Sequence, residues 1–317
     1  MAHATLISHP HGITAVDADY IRPGLAASHI IVHGGRAAFV DVGTNHSVPR
    51  LLAGLEALGV AREAVEYVLL THVHLDHAGG AGALLRELPN ARALVHPRGA
   101  PHLIDPAKLI KASIAVYGEA TYRSLYGELV PVPAERVRIM RDGERIDLAG
   151  RGLLTLDTPG HALHHYSIVD VEYQNIFTGD TFGLSYRELD TAAGAFAVPT
   201  TTPSQFDPDQ LIASIDRLLG YAPQAAYLMH FSRITDLPRI GESLKTQIRE
   251  LAAIARRHAG AADRASAIRA DMRALWIALA QRHGVALAES RVDDILDKDL
   301  ELNVQGLTAW LDRLARG

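Results

Sequence analysis

The chain has 317 residues, 48% hydrophobic and 21% charged, ordinary globular proportions that exclude a disordered or low-complexity polymer. Its 31 Lys and Arg against 36 Asp and Glu give a formal charge of −5, so the molecule as a whole offers no cationic surface and nucleic acid is not an expected partner. There is no cysteine but there are 17 histidines, which rules out disulfides, thiolate clusters and a cysteine nucleophile and leaves any transition metal to imidazole and carboxylate.

Residues 1–10 have neither the basic start nor the apolar centre of a signal peptide, and no run approaches 18 apolar residues, so the expectation is a cytoplasmic protein with no membrane partner. Strand-like runs at 13–18, 28–32 and 37–42 follow, the last two joined by Gly34 and Gly35 as a hairpin. Ser47 as cap, Pro49 in the first turn, Leu51, Leu52, Leu55 and Leu58 on one face and Gly59 at the stop predict a helix. The run 65–70, apolar except for Glu66, predicts a strand buried on both faces, followed by a helix over 82–88 and a strand over 92–96. Prolines punctuate 97–135, whose middle, 108–126, has helical spacing and reads as an inserted helical segment.

From 136 to 178 several β-rich runs are separated by turn residues, the pattern of an antiparallel or mixed sheet. Asp207, Pro208 and Gln210 supply cap, first-turn proline and capping-box partner for a helix ending at Gly220, and 226–229 is a last short strand. Beyond Pro238 the apolar residues fall at helical spacing: Ile240, Leu244, Ile248 and Leu251, then Ile268, Met272, Leu275, Trp276 and Leu279, then Leu307, Trp310, Leu311 and Leu314. The division expected is a main domain over 1–237 with the insertion near 97–135, and a helical extension over 238–317 that either covers the sheet domain or joins two copies as a homodimer.

The informative stretch is Thr71-His72-Val73-His74-Leu75-Asp76-His77-Ala78-Gly79-Gly80, with four ligand-type side chains within six residues where a buried strand leaves the core. On extended chain His72 and His74 point the same way, and Asp76 and His77 fall where the chain turns into a helix, so two metals can be served side by side. The plain alternative is a polar strand-to-helix loop whose histidines only hydrogen-bond.

The stretch resembles the HxHxDH signature of the metallo-β-lactamase-fold hydrolases, with glyoxalase II and the lactonases among them. Thr158-Pro159-Gly160-His161, Phe177-Thr178-Gly179-Asp180-Thr181 and Tyr227-Leu228-Met229-His230 follow in the family's order. The resemblance covers roughly residues 12–235. It implies an α+β fold, a four-layer αβ/βα sandwich, here with an added C-terminal helical region. It also implies two divalent ions, zinc first with iron or manganese as alternatives. His72, His74 and His161 would hold one, Asp76, His77 and His230 the other, and Asp180 would bridge them. By the same likeness Asp76 orients the nucleophile, a metal-bridging hydroxide, and His165 acts beside the site on a ligand or the substrate oxygen, the alternative being a bond to nearby backbone. Asp41, in the family's early Asp-containing loop, either accepts a hydrogen bond from a ligand histidine or simply ends a strand. His164 stands where many relatives have glycine.

The function expected is hydrolysis of a small-molecule ester, thioester or lactone. The alternatives are a phosphodiesterase of the same fold, or an iron-dependent persulfide dioxygenase or oxygen-binding di-iron protein. The intact second-metal set favours hydrolysis, because a dioxygenase needs only two histidines and one carboxylate. Tyr117, Tyr122, Tyr126, Lys108 and Lys111 either line the substrate pocket or, for the tyrosines, pack.

Overall fold

Two β-sheets share one apolar core in the computed structural model, which describes residues 4–201 and 205–316, so the first three residues of the N-terminal stretch read above lie outside it. The first sheet runs β1 (Leu6–His9), β2 (Ile13–Asp17), β3 (Ala27–His33), β4 (Arg36–Val40), β5 (Val65–Leu69), β6 (Arg92–Val95) and β7 (Val137–Ile139), in that order across the sheet. Strands β1 to β4 are antiparallel neighbours, and β4 to β7 are parallel. The second sheet has the order β13 (Ser232–Ile234), β12 (Ala225–Leu228), β11 (Asn175–Gly179), β10 (Tyr166–Asp170), β9 (Arg151–Asp157) and β8 (Arg145–Leu148). β1 and β13, four and three residues long, are edge strands that the sequence pattern does not reveal.

The chain divides into two compact units that interleave along the sequence: Met1–Asp157 with His164–Gly179 and Ala225–Arg233, and Thr158–Leu163 with Asp180–Gln224 and Ile234–Gly317. In the first unit Ile13, Ile31, Val40, Leu69 and Leu94 of one sheet meet Ile146, Leu153, Tyr166, Phe177 and Tyr227 of the other. The opposite face of the first sheet is covered by α1 (Val48–Ala57), the single turn α2 (Leu75–Ala78), α3 (Ala81–Glu87) and α4 (Ala100–Ile104), with Leu51, Leu55, Leu84 and Leu103 against Phe39, Val68 and Val95. Val68 and Leu69 belong to opposite cores, so β5 is buried on both faces as its apolar run predicts. The insertion continues as α5 (Ala107–Tyr117) and α6 (Glu119–Tyr126). Ser47 is the cap residue of α1 as expected but makes no side-chain bond to it; Thr44 and Ser47 exchange bonds around a short 3-10 turn that leads into α1.

In the second unit α7 (Pro208–Leu219) is capped by Asp207, which accepts from Gln210 N at 2.9 Å, and it packs on α8 (Leu237–Arg257). α8 in turn meets α9 (Arg264–His283) and α10 (Glu289–Leu314). Ile240, Leu244, Ile248, Leu251, Ile268, Met272, Trp276, Leu307 and Leu311 are buried within the chain, Leu275 and Leu279 are half-buried and Leu314 is exposed. Among the described residues no helix is long and apolar enough to cross a membrane.

Two buried polar groups make the first unit sensitive to charge. Arg151 and Asp170 are both fully buried and pair at 2.5 Å, with Arg151 also donating to His11 O at 2.6 Å. Replacing Asp170 by Ala strands a buried guanidinium and is expected to cost about 3–5 kcal/mol in chemical denaturation. His29, buried against Phe177 and Tyr227, has its pKa pushed down to about 3 by burial first and by His9 second. The unfolded imidazole titrates near 6.5, so between pH 6.5 and 3 the unfolded state binds the extra proton. Stability from this group is complete above pH 6.5 and is lost as pH falls through that window, with a slope of up to about 1.4 kcal/mol per pH unit. Unfolding of His29→Gln followed over that range should show a flatter pH dependence than the parent.

Candidate metal centre

The ligand-rich segment begins where β5 runs out of the sheet, at the carboxyl ends of the parallel strands. Leu70 N still donates to Leu94 O at 3.0 Å, and Tyr166 N donates to Thr71 O at 2.8 Å. These bonds hold the chain extended through His72 and His74. α2 follows at once and brings round Asp76 and His77. The turn lies close against the loop before α1, which Gly80 permits: a Cβ there would come within 2.6 Å of Thr44 O.

In His72, His77 and His230 one nitrogen is spent on holding the ring, which fixes the tautomer and aims the other nitrogen. His77 Nδ1 donates to Asp41 Oδ2 and His230 Nδ1 to Leu25 O, both at 2.9 Å. Their Nε2 atoms face Asp76 Oδ2, at 3.7 Å and 3.3 Å. Asp76, His77 and His230 thus present ligand atoms within 4.8 Å of one another. Thr71 Oγ1 donates to Asp41 Oδ2 at 2.8 Å and lies 3.2 Å from His72 Nδ1, so it accepts from that ring. His72 Nε2 is left 2.8 Å from His74 Nδ1. Asp41, at φ +50°, is both the strand-end turn and the acceptor that the sequence left as alternatives.

A convergence of imidazole nitrogens on one another and on a carboxylate suits a divalent cation, and the all-nitrogen and oxygen donor set fits zinc, iron or manganese alike. His72 and His77 are fully buried, whereas His74 and Asp76 are half-buried, so the open side of the group lies at the latter two.

His165 is buried with its ring centroid 4.9 Å from that of His72. A Cβ on Gly179 would stand 2.5 Å from His165 Nε2 and 2.6 Å from Thr71 Oγ1, and φ there is +48°. Glycine before Asp180 is therefore a packing requirement as well as a turn. His164, noted in the sequence only as a departure, stands with its ring edge-on to His74 at 5.3 Å. Tyr122 and Tyr126 pack on each other at 5.6 Å, and Lys108 and Lys111 are exposed. Tyr126 bonds Tyr20 through their hydroxyls at 2.7 Å. Burial first, then Tyr20, Tyr117 and Asp76 nearby, holds its phenol well above the ordinary range.

In the second unit His161 and Asp180 form a pair of their own. His161 Nε2 is 3.2 Å from Asp180 Oδ2, and His161 Nδ1 donates to Thr200 O at 3.4 Å. The first unit thus gathers His72, His74, Asp76, His77, His165 and His230, and the second holds His161 with Asp180.

The profile of the metallo-beta-lactamase superfamily matches residues 21–230, a span that contains every one of these residues. The chain belongs to the metallo-beta-lactamase superfamily. It is 26% identical over 236 residues to the metallo-beta-lactamase fold-containing protein ST1585 of Sulfurisphaera tokodaii, covering 73% of this chain and 81% of that one. The crystal structure of ST1585 matches with a TM-score of 0.67 at 22% identity, over 94% of this chain and 99% of the other. That of the family protein TTHA1429 from Thermus thermophilus matches with a TM-score of 0.62 at 20% identity, over 98% and 92%. These structural likenesses establish the metallo-beta-lactamase fold, with two sheets and a C-terminal helical region. A hydroxyacylglutathione hydrolase of Cronobacter sakazakii is 31% identical over 147 residues, 46% of this chain but only 43% of that enzyme.

Asp41 is the side chain whose removal tests the arrangement of nitrogens. Asp41→Ala frees His77 to rotate, and metal affinity measured by competition with a chelator is expected to fall about 10- to 100-fold.

Proposed function

We propose that this chain is a dinuclear metal hydrolase acting on an ester, thioester or lactone of a small molecule. The observation that carries the reading is the tie on His77 and His230. Each spends Nδ1 on a fixed acceptor and turns Nε2 on Asp76, and the further imidazoles of His72 and His74, 2.8 Å apart, are donors that a mononuclear two-histidine, one-carboxylate centre does not need. The superfamily, most of whose members are metal-dependent hydrolases, and the likeness to a hydroxyacylglutathione hydrolase support an acyl substrate.

In this reading His72, His74 and His161 would hold one ion, Asp76, His77 and His230 would hold the other, and Asp180 would be a further ligand, with zinc the first candidate. Two such ions when bound supply an activated water at neutral pH and polarise the bond it attacks. The residues do the remaining work. Asp76, with 21% of its side chain exposed, presents Oδ2 beside the two Nε2 lone pairs as a further donor atom, takes the proton of the attacking water and returns it to the leaving group. His165 acts through His72, whose ring it abuts, as a positioning residue. Asp41 and Thr71 keep His72 and His77 in the tautomers that leave Nε2 for the metal.

The test is a panel of acyl-thioesters, lactones, activated esters and phosphodiesters given to metal-replete protein whose metal content has been measured. Two ions per chain are expected, with turnover of carbonyl substrates that chelation abolishes and zinc restores. Asp76→Ala should lower kcat roughly 100- to 10,000-fold. Turnover of phosphodiesters alone, no turnover of any substrate, or a di-iron centre with reversible oxygen absorption would overturn the assignment.

A further inference from the structure

We propose that Asn303, far along α10, is a positioning residue for the metal ligand His161, an inference that rests on His161 being a ligand. Asn303 is buried, and its amide is fixed by its own bond, Nδ2 donating to Asp299 O at 2.8 Å. Its Oδ1 accepts from Thr201 N at 2.8 Å, and its backbone O accepts from Thr201 Oγ1 at 3.0 Å. The N–H of Thr201 and the C=O of Thr200 belong to one planar trans peptide, so they point in opposite directions. Fixing the N–H on Asn303 therefore fixes where the Thr200 carbonyl points. It points at His161 Nδ1, 3.4 Å away. An imidazole that donates from Nδ1 has its lone pair at Nε2, the atom that lies 3.2 Å from Asp180 Oδ2.

The relay runs from the Asn303 amide through one peptide to one ring, and each link removes a freedom from the next. Bonds in series also polarise one another, so a good acceptor at Asn303 makes the Thr200 carbonyl a better acceptor for the imidazole proton. The same helix secures the far end of this segment. Arg313 donates to Phe206 O, Trp310 stands edge-on to Phe206 at 6.1 Å, and Asp207 N donates to Gly160 O at 2.8 Å, next to the ligand itself. α10 thus holds the chain at Thr201 and again at Phe206.

The test compares Asn303→Leu, which removes the amide at similar volume, with Asn303→Asp, which keeps the acceptor. Leu296→Ala, a buried position two turns away on α10, serves as a control for lost packing. Long-range proton–nitrogen spectra of the metal-free proteins report which nitrogen of His161 carries the proton, and chelator competition reports zinc affinity. The parent, Asn303→Asp and Leu296→Ala should keep the proton on Nδ1 and bind zinc within a few-fold of one another. Asn303→Leu should show a tautomer mixture and a 10- to 100-fold weaker ion. Asn303→Leu with the parent's tautomer and affinity, or Leu296→Ala impaired as much as Asn303→Leu, overturns the proposal. A parent that binds no zinc would instead sink the metal reading, and the tautomer comparison would still decide the role of Asn303.

Discussion

A single buried carboxylate organises the first unit's share of the centre. Asp41 sits at the end of β4 in the left-handed region, and from there it accepts from the backbone and hydroxyl of Thr71 and from His77 Nδ1. One side chain thereby joins the end of one parallel strand to the end of the next and sets the tautomer of His77. Burying a carboxylate is costly unless its oxygens are filled with donors. Here the donors belong to the segment that carries the candidate ligands, so satisfying Asp41 and shaping that segment are the same event.

The rest of the fold makes that event possible. The two-sided burial of β5 gives a rigid strand from which Thr71, His72 and His74 emerge in extended geometry, and α2 redirects the chain before the register drifts. The second sheet brings His230 to its place from the end of β12 and packs His165 against the His72 ring. The second unit applies the same principle with different partners: His161 keeps Nε2 on Asp180 by giving Nδ1 to a carbonyl that its own helical region fixes. In both units, polar contacts away from the ligand atoms decide which nitrogen is available.

Much of this was legible in the residues. The HxHxDH stretch, the apolar run before it and the Asp207 cap follow from short-range rules, and each stands where those rules place it. Ser47 stands at the cap position of α1 as expected, but its hydroxyl makes no bond to that helix, being engaged with Thr44 around the preceding 3-10 turn. Asp41 offered two readings, turn or acceptor, and only three dimensions show that it is both. His165 and His164 are adjacent in sequence, and nothing in their order says that one abuts His72 while the other meets His74 edge-on. The tyrosines of the insertion show why helical spacing is a weak guide to a pocket, since Tyr122 and Tyr126 pack on each other. Asn303 was illegible, because a polar residue on a buried helical face acquires meaning only when its partner is known. The topology likewise came from the family resemblance and not from periodicity.

The two imidazoles that face Asp76 differ in what holds them. His77 leans on a side chain, Asp41, which a single substitution can remove. His230 leans on the main-chain oxygen of Leu25, which every amino acid at that position would still provide. Heritable variation therefore acts unequally on the two. The first orientation is open to tuning or loss by one codon, whereas the second is insulated and changes only if the path of the loop itself is redrawn. A lineage exploring new chemistry on this scaffold would find its adjustable handle at residue 41 and its fixed point at residue 230.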